Sequence, residues 1–90
     1  MKTKQEFDKM FQESLEKNRE SWIEDWVRLV RQPSVSATGE GVIDCCCLIA
    51  GKMKELGIET EIHPVEPYPV IVGRFGKDPE KKTVLIYAHY

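Results

Sequence analysis

The sequence of 90 residues lacks the features that mark several classes of protein. No apolar run approaches the ~20 residues that a transmembrane helix requires. Residues 1–6 are polar and contain no hydrophobic segment of a secretory signal, which makes a cytoplasmic location the default expectation. The net charge is −2, and Lys and Arg do not cluster into the basic surface that a nucleic-acid-binding domain needs. The composition therefore predicts neither a membrane nor a nucleic-acid partner.

The three cysteines are adjacent and lack the spacing of a metal or redox site. Neighbouring residues on a helix point about 100° apart, so Cys45, Cys46 and Cys47 do not converge on one metal ion. They also do not form a C-x-x-C motif. We interpret them as small, buried or half-buried thiols in a reducing compartment, and not as reactive groups or ligands.

The N-terminal third has the pattern of a long amphipathic helix. Thr3 and Glu6 have the spacing of a capping box, which marks a helix start. An apolar stripe then predicts a helix over residues 4–31, either continuous or broken near Asn18 with a restart at Ser21. The stripe consists of Phe7, Phe11, Leu15, Trp22, Trp26 and Leu29. Because the first half of this helix has a narrow stripe and a charged back, we expect it to lie across another surface.

A second helix follows a loop of small residues. Pro33 ends the first helix, because the residue before a proline avoids the helical region. Residues 34–41 have loop composition, and a helix is predicted over roughly 41–56, with Gly57 in a position suited to its C-terminal cap. Its predicted buried stripe consists of Val42, Cys46, Ile49, Met53 and Leu56.

The C-terminal third predicts three strands. Residues 58–63 alternate apolar and polar side chains, as in a strand with one solvated face, and residues 69–75 form the next strand. The segment 76–82 has turn composition. The run 83–88 carries no charged residue, which is typical of a strand covered on both faces. Two helices followed by three strands predict an α/β fold, the N-terminal part of a three-layer αβα domain with a mixed sheet, incomplete in this chain.

The two histidines are candidate metal ligands. His63 lies on the polar face of the first predicted strand, and we interpret it as a solvated surface residue because no second ligand shares that face at usable spacing. His89 follows the uncharged run, where the carboxyl end of a central strand meets the crevice that binds ligands in α/β folds. Its neutral imidazole suits zinc and related divalent metals. Position alone leaves a metal ligand and a histidine that hydrogen-bonds a nearby loop equally open.

Four segments together resemble one enzyme family. They are residues 31–36 (RQPSVS), 39–42 (GEGV), 68–74 (YPVIVGR) and 83–90 (TVLIYAHY). Their order and approximate spacing are similar to those of the di-metal peptidase and amidohydrolase family, which includes carnosinase-like dipeptidases, acetylornithine deacetylase, succinyl-diaminopimelate desuccinylase and glutamate carboxypeptidase. The loop and the Tyr-Pro-Val strand resemble the dipeptidase branch most. The resemblance covers this chain from about Ser21 onward, but only the N-terminal part of a typical member.

The resemblance implies that His89 is a metal ligand. In the family the matching strand ends in His-x-Asp, where the histidine binds one of two metal ions, commonly zinc with manganese or cobalt as alternatives, and the aspartate orients it. Tyr90 matches the intervening residue. The aspartate, the general-base glutamate and the other ligands would lie beyond Tyr90, so no catalytic residue is expected within this chain. Since a zinc site needs about three protein ligands, we expect these residues alone to retain no metal.

The implied complete enzyme is a hydrolase of dipeptides or N-acyl amino acids in which two metal ions activate the attacking water. Under this hypothesis residues 1–20 are an extra helix and residues 21–90 begin the α/β core of the catalytic domain. A lid and dimerisation domain is absent, the full-length protein is a homodimer, and this chain alone is inactive. The alternatives are a small non-catalytic α/β domain that binds a partner, and the remnant of a pseudo-enzyme.

Overall fold

The computed structural model describes residues 2–90 as two helices followed by two strands. Helix α1 spans Lys4–Arg31, helix α2 spans Val42–Glu55, strand β1 spans Glu59–His63 and strand β2 spans Val70–Arg74. The chain forms two compact units, Met1–Arg31 and Gln32–Tyr90. The predicted α/β class is confirmed, and the elements are consistent with an incomplete αβα domain.

Helix α1 is continuous over 28 residues, which decides against a break near Asn18. The predicted capping box is present. The Thr3 hydroxyl accepts a hydrogen bond from the Glu6 N–H, and the Glu6 carboxylate accepts one from the Thr3 N–H, both at 3.2 Å. All 28 residues of α1 are described and none of them is buried, so the surface expected beneath its apolar stripe stays a prediction. Neither helix of the described chain is long and apolar enough to cross a membrane.

Helix α2 is flanked by two glycines: Gly41 is its N-cap, and Gly57, the predicted C-terminal cap, follows Leu56. Gly41 precedes it with φ of 71°, a left-handed conformation that favours glycine. The Gly41 carbonyl accepts the first helical hydrogen bond, from the Cys45 N–H at 2.8 Å. At the other end, the Gly57 N–H donates to the Lys54 carbonyl at 3.0 Å and closes the last turn.

Helix α2 also supplies the core of the second unit. The buried side chains are Val42, Cys45, Cys46 and Ala50. The predicted stripe is therefore right for its first two members, whereas Ile49 and Met53 are half-buried. The prediction is wrong for Leu56, which is exposed because it follows the last helical residue. The prediction that the cysteines are buried or half-buried is confirmed for Cys45 and Cys46 and wrong for Cys47, which is an exposed free thiol.

Strands β1 and β2 form an antiparallel ladder in which Glu59 pairs with Arg74 and His63 pairs with Val70. The observed bounds agree with the predicted ones to within a residue at each end. Gly73 on β2 lies against α2 and the start of β1. A Cβ atom at this position would lie 2.3 Å from Met53 Cε and 2.8 Å from Ile58 Cγ2, so any larger residue here would require these two side chains to move.

Residues 83–88 do not form the predicted third strand. Val84, Leu85 and Ile86 are 81, 90 and 86% exposed, so the expectation of a strand covered on both faces is wrong for this structure. A buried strand needs ladder partners and packed layers on both faces, and within residues 2–90 no element supplies them. An uncharged composition indicates that a segment is suited to burial, but it does not indicate that the chain contains the strands and helices that would bury it.

Candidate functional site

His89 lies in an irregular, exposed segment instead of at the end of a central strand. The positional argument from the sequence is therefore wrong, because the strand that would have carried His89 does not form. The imidazole packs edge-to-face against the ring of Tyr87, with the ring centroids 5.0 Å apart and an interplanar angle of 79°. Its role as a metal ligand stays a prediction.

The described part of the chain does not contain a complete metal site. Among residues 2–90 no group of three or more His, Cys, Asp or Glu side chains is arranged to hold a metal ion. The exposed imidazole of His89 suits one coordination position, whereas a catalytic zinc ion takes about three protein ligands. The described residues could therefore supply one ligand, His89, to a metal centre, but not a complete set of ligands.

Tyr90 brings the C-terminal segment, residues 83–90, into contact with the core of its unit. The Tyr90 hydroxyl donates a hydrogen bond to the Pro69 carbonyl at 2.5 Å. Burial raises the pKa of Tyr90 above its ordinary value of 10.0, with further contributions from a side-chain hydrogen bond with Cys46 and from the electrostatic effect of the Cys46 and Cys45 thiols. The fold therefore favours the neutral hydroxyl, which is the form that donates the hydrogen bond to Pro69.

Tyr68, which directly precedes Pro69, attaches the loop before α2 to the start of β2. Its hydroxyl donates a hydrogen bond to the Ser36 carbonyl. The loop is closed by an antiparallel bridge in which the Val35 N–H donates to the Glu40 carbonyl at 2.9 Å. At the base of the loop, the side-chain amide of Gln32 lies 3.1 Å from the Pro33 carbonyl oxygen and 3.4 Å from the Gly41 carbonyl oxygen. The loop is thus tied both to itself and to the hairpin.

The four segments that carry the family resemblance are connected in the structure. Segment 31–36 pairs with segment 39–42 in the loop, Tyr68 joins that loop to the start of β2, and Tyr90 joins the start of β2 to the C-terminal segment. Sequence reasoning missed both tyrosine contacts. The available signal was general, because a half-buried tyrosine usually finds a hydrogen-bond partner for its hydroxyl, but nothing in the sequence specifies which partner.

His63 lies on the exposed face of β1, which confirms its interpretation as a surface residue. His63 Nε2 lies 3.0 Å from Glu61 Oε2, and Arg74 Nη1 lies 3.4 Å from Glu61 Oε1. All three side chains are about half exposed. Solvent screens such pairs, so this cluster contributes little to stability.

An open groove lies between the end of α2 and the hairpin. Its charged lining residues are Lys54, Glu59, Arg74 and Lys77. None of its lining residues belongs to segment 83–90, so the groove and His89 are separate features of the second unit.

Comparison with known proteins gives matches to fungal peptidases. The Cys-Gly metallodipeptidase DUG1 of Candida albicans is 31% identical over 94 residues, which cover 87% of this chain and 19% of the relative. The Cys-Gly metallodipeptidase dug1 of Schizosaccharomyces pombe is 29% identical over 100 residues, 97% of this chain and 21% of the relative. DUG1 of Saccharomyces cerevisiae is 50% identical over 44 residues, 43% of this chain and 9% of the relative.

The chain spans about a fifth of the length of the first two relatives. No protein-family model matches the sequence, and no solved structure matches it. The matched region nevertheless covers nearly the whole chain in two relatives that carry the same name. These matches support a family relationship of this chain with metallodipeptidases, and thereby with peptidase hydrolases.

Proposed function

We propose that residues 1–90 are the N-terminal part of a metal-dependent dipeptidase that hydrolyses the amide bond of dipeptides or N-acyl amino acids. One observation carries this proposal: relatives aligned with 87% and 97% of the chain are both named Cys-Gly metallodipeptidases. Their name supports a metal cofactor and a small peptide substrate. Zinc is the metal we propose, with manganese and cobalt as chemically similar alternatives.

Within this proposal His89 is one ligand of the metal centre. Its imidazole is exposed and is a suitable donor for zinc. Bound metal ions would supply a water of lowered pKa for attack on the scissile carbonyl. Because residues 2–90 hold no set of three ligands, the remaining ligands and the general base belong to further sequence of a longer polypeptide.

The proposal extends to the organisation of that polypeptide. In this organisation residues 1–20 are an extra helix that precedes the core in sequence, and residues 21–90 begin the catalytic α/β core. A lid and dimerisation domain would follow later in the sequence, and the complete enzyme would be a homodimer. The isolated 90-residue chain is inactive under this proposal, because a single imidazole holds a metal ion too weakly to activate water.

The test uses the protein encoded by the uninterrupted reading frame that contains this sequence. We expect it to hydrolyse Cys-Gly, to lose activity on chelation and to regain it with zinc. His89→Ala should lower kcat/KM by at least about 100-fold, since losing even the orienting partner of a ligand typically costs about 10–100-fold. His63→Ala is the matched control and should leave kcat/KM unchanged. Equal activity of the two variants would refute the role of His89.

The exposed apolar stripe of α1 favours a second candidate, a non-catalytic domain that binds a partner. Phe11 and Trp26 are among the exposed large side chains of this helix, and contiguous exposed apolar surface marks interaction sites. A stop codon directly after Tyr90, together with no Cys-Gly hydrolysis and a stable complex formed through α1, would favour this candidate or a pseudo-enzyme remnant over the dipeptidase.

A further inference from the structure

The C-terminal segment, residues 83–90, is exposed to solvent as far as His89, and only Tyr90 at its end is partly covered. Exposure is 90% at Leu85, 79% at Tyr87 and 37% at Tyr90. The ring and hydroxyl of Tyr90 therefore attach a segment that otherwise lies in solvent. Since adjacent Cα atoms are about 3.8 Å apart, fixing Tyr90 also restricts where the backbone of His89 can lie.

The residues next to the Tyr90 side chain belong to the core face of α2 and to the start of β2. Cys46 is 2% exposed and lies in the core face of α2. Pro69 directly precedes β2, its φ is restricted by its ring, and its neighbour Tyr68 is bonded to the loop at Ser36. The Tyr90 hydroxyl thus bonds to a carbonyl held at the start of the β1–β2 ladder, which pairs His63 with Val70 and does not involve the Tyr68 hydroxyl.

The imidazole of His89 is flanked by two tyrosines that act differently. The Tyr87 ring touches the imidazole edge-to-face, whereas Tyr90 contacts α2 and the start of β2. A metal ligand performs best when its geometry is held to within about 0.5 Å by surrounding contacts. In this segment, which forms no strand, the contact of Tyr90 is the feature that supplies such a restraint.

We infer that Tyr90 is a positioning residue for His89, holding the histidine backbone in place through the hydrogen bond of its hydroxyl to the Pro69 carbonyl. The inference rests on the proposed function for one point, that the positioned residue, His89, is a metal ligand. The positioning itself is a property of the 90-residue chain, and it is measurable with no metal present.

The first experiment measures backbone order by nuclear magnetic resonance in the 90-residue chain. In the wild type we expect the ¹⁵N order parameter at His89 to exceed that at Leu85. Tyr90→Phe should lower the value at His89 to that of Leu85. Tyr68→Phe is the matched control, because it removes the same type of bond, from a tyrosine hydroxyl to a backbone carbonyl, and should leave His89 unchanged.

A merely structural role predicts a different pattern. If Tyr90 only stabilised the unit, Tyr90→Phe and Tyr68→Phe would have the same effect on His89, and that result would overturn the inference. Amide dispersion of α2 and β2 shows whether each variant is folded. If Tyr90→Phe is unfolded, the wild type decides the question: an order parameter at His89 no higher than that at Leu85 overturns the inference.

The second experiment measures zinc affinity by chelator competition in the product of the longer reading frame. Tyr90→Phe should weaken zinc binding about tenfold, at the lower end of the 10–100-fold typical of orienting partners, and Tyr68→Phe should not weaken it. If His89→Ala binds zinc as the wild type does, the proposed function fails while the order parameters still decide the role of Tyr90. If His89→Ala loses zinc and Tyr90→Phe retains full affinity, only the positioning role fails.

Discussion

A single methyl group added at Gly41 tests how the loop before α2 is built. Gly41 has φ of 71°, and an L-residue in that conformation costs about 1–2 kcal/mol. The new Cβ would lie 2.1 Å from the Pro33 carbonyl oxygen, far inside the roughly 3.5–4 Å of a favourable contact. Since the obstructing atom is backbone, the loop must move, and the Gln32 hydrogen bonds to Pro33 and Gly41 are lost. Loss of the hydrogen bonding adds about 1 kcal/mol, which gives a total cost of about 2–3 kcal/mol.

The matched control is the same substitution ten residues later. Gly51 lies inside α2, and a Cβ atom there would meet no atom within 4 Å. Alanine in a helix interior is more favourable than glycine by about 1 kcal/mol. Gly41→Ala and Gly51→Ala make one identical chemical change, and we expect them to shift the stability of the second unit in opposite directions.

Hydrogen exchange of the β1–β2 ladder amides is the suitable assay. It reports on the second unit separately, whereas both tryptophans lie in α1 and fluorescence would follow that helix. A loss of about 2–3 kcal/mol accelerates exchange roughly 30- to 150-fold, and a gain of about 1 kcal/mol slows it roughly fivefold. Exchange in Gly41→Ala within about threefold of the wild type would refute the reasoning from backbone conformation and contact.

Two further predictions concern the loop and the thiols. Tyr68→Phe removes the hydrogen bond to the Ser36 carbonyl and should destabilise the second unit by about 1 kcal/mol in urea unfolding; an unchanged midpoint would show that water replaces the bond without loss. Cys47 is exposed, whereas Cys45 and Cys46 are each 2% exposed, so a thiol reagent should modify one group in the native chain and three after unfolding. Cys47→Ala should abolish the native reaction, and equal rates at all three thiols would contradict the fold of α2.

The helices were predictable because their signals are local. The capping box at Thr3, the apolar stripe over residues 4–31 and Gly57 as a cap all act within a few residues of the helix ends they define. The hairpin strands were predictable for a similar reason, since alternation along 58–63 reports which face is solvated. Leu56 was mispredicted because the apolar periodicity continues past the residue where the helix ends.

The contacts around the candidate site were not predictable, because they join distant residues. Tyr68 bonds to a residue 32 positions away and Tyr90 to one 21 positions away, and tyrosine hydroxyls accept or donate to many partners. The prediction of a third strand was wrong for a related reason. A strand forms only when a second segment pairs with it, and the sequence of residues 83–88 alone does not show whether that partner is present. His89 was predicted as a ligand from the family resemblance and from its position after an uncharged run. In the structure it does not end a strand, and it lies in an irregular segment that is attached to the unit through Tyr90.

The exposed stretch 84–87 also governs how copies of this chain behave toward each other. It consists of Val, Leu, Ile and Tyr, without charge or proline, and is largely open to solvent, which is the composition that favours cross-β stacking. Lys81 and Lys82 lie just before it, separated from it by Thr83, so in-register stacking would place like charges side by side. Added salt shortens the range of that repulsion, from about 10 Å at 0.1 M to about 3 Å at 1 M. Aggregation of this chain is therefore favoured by high ionic strength and opposed by low ionic strength.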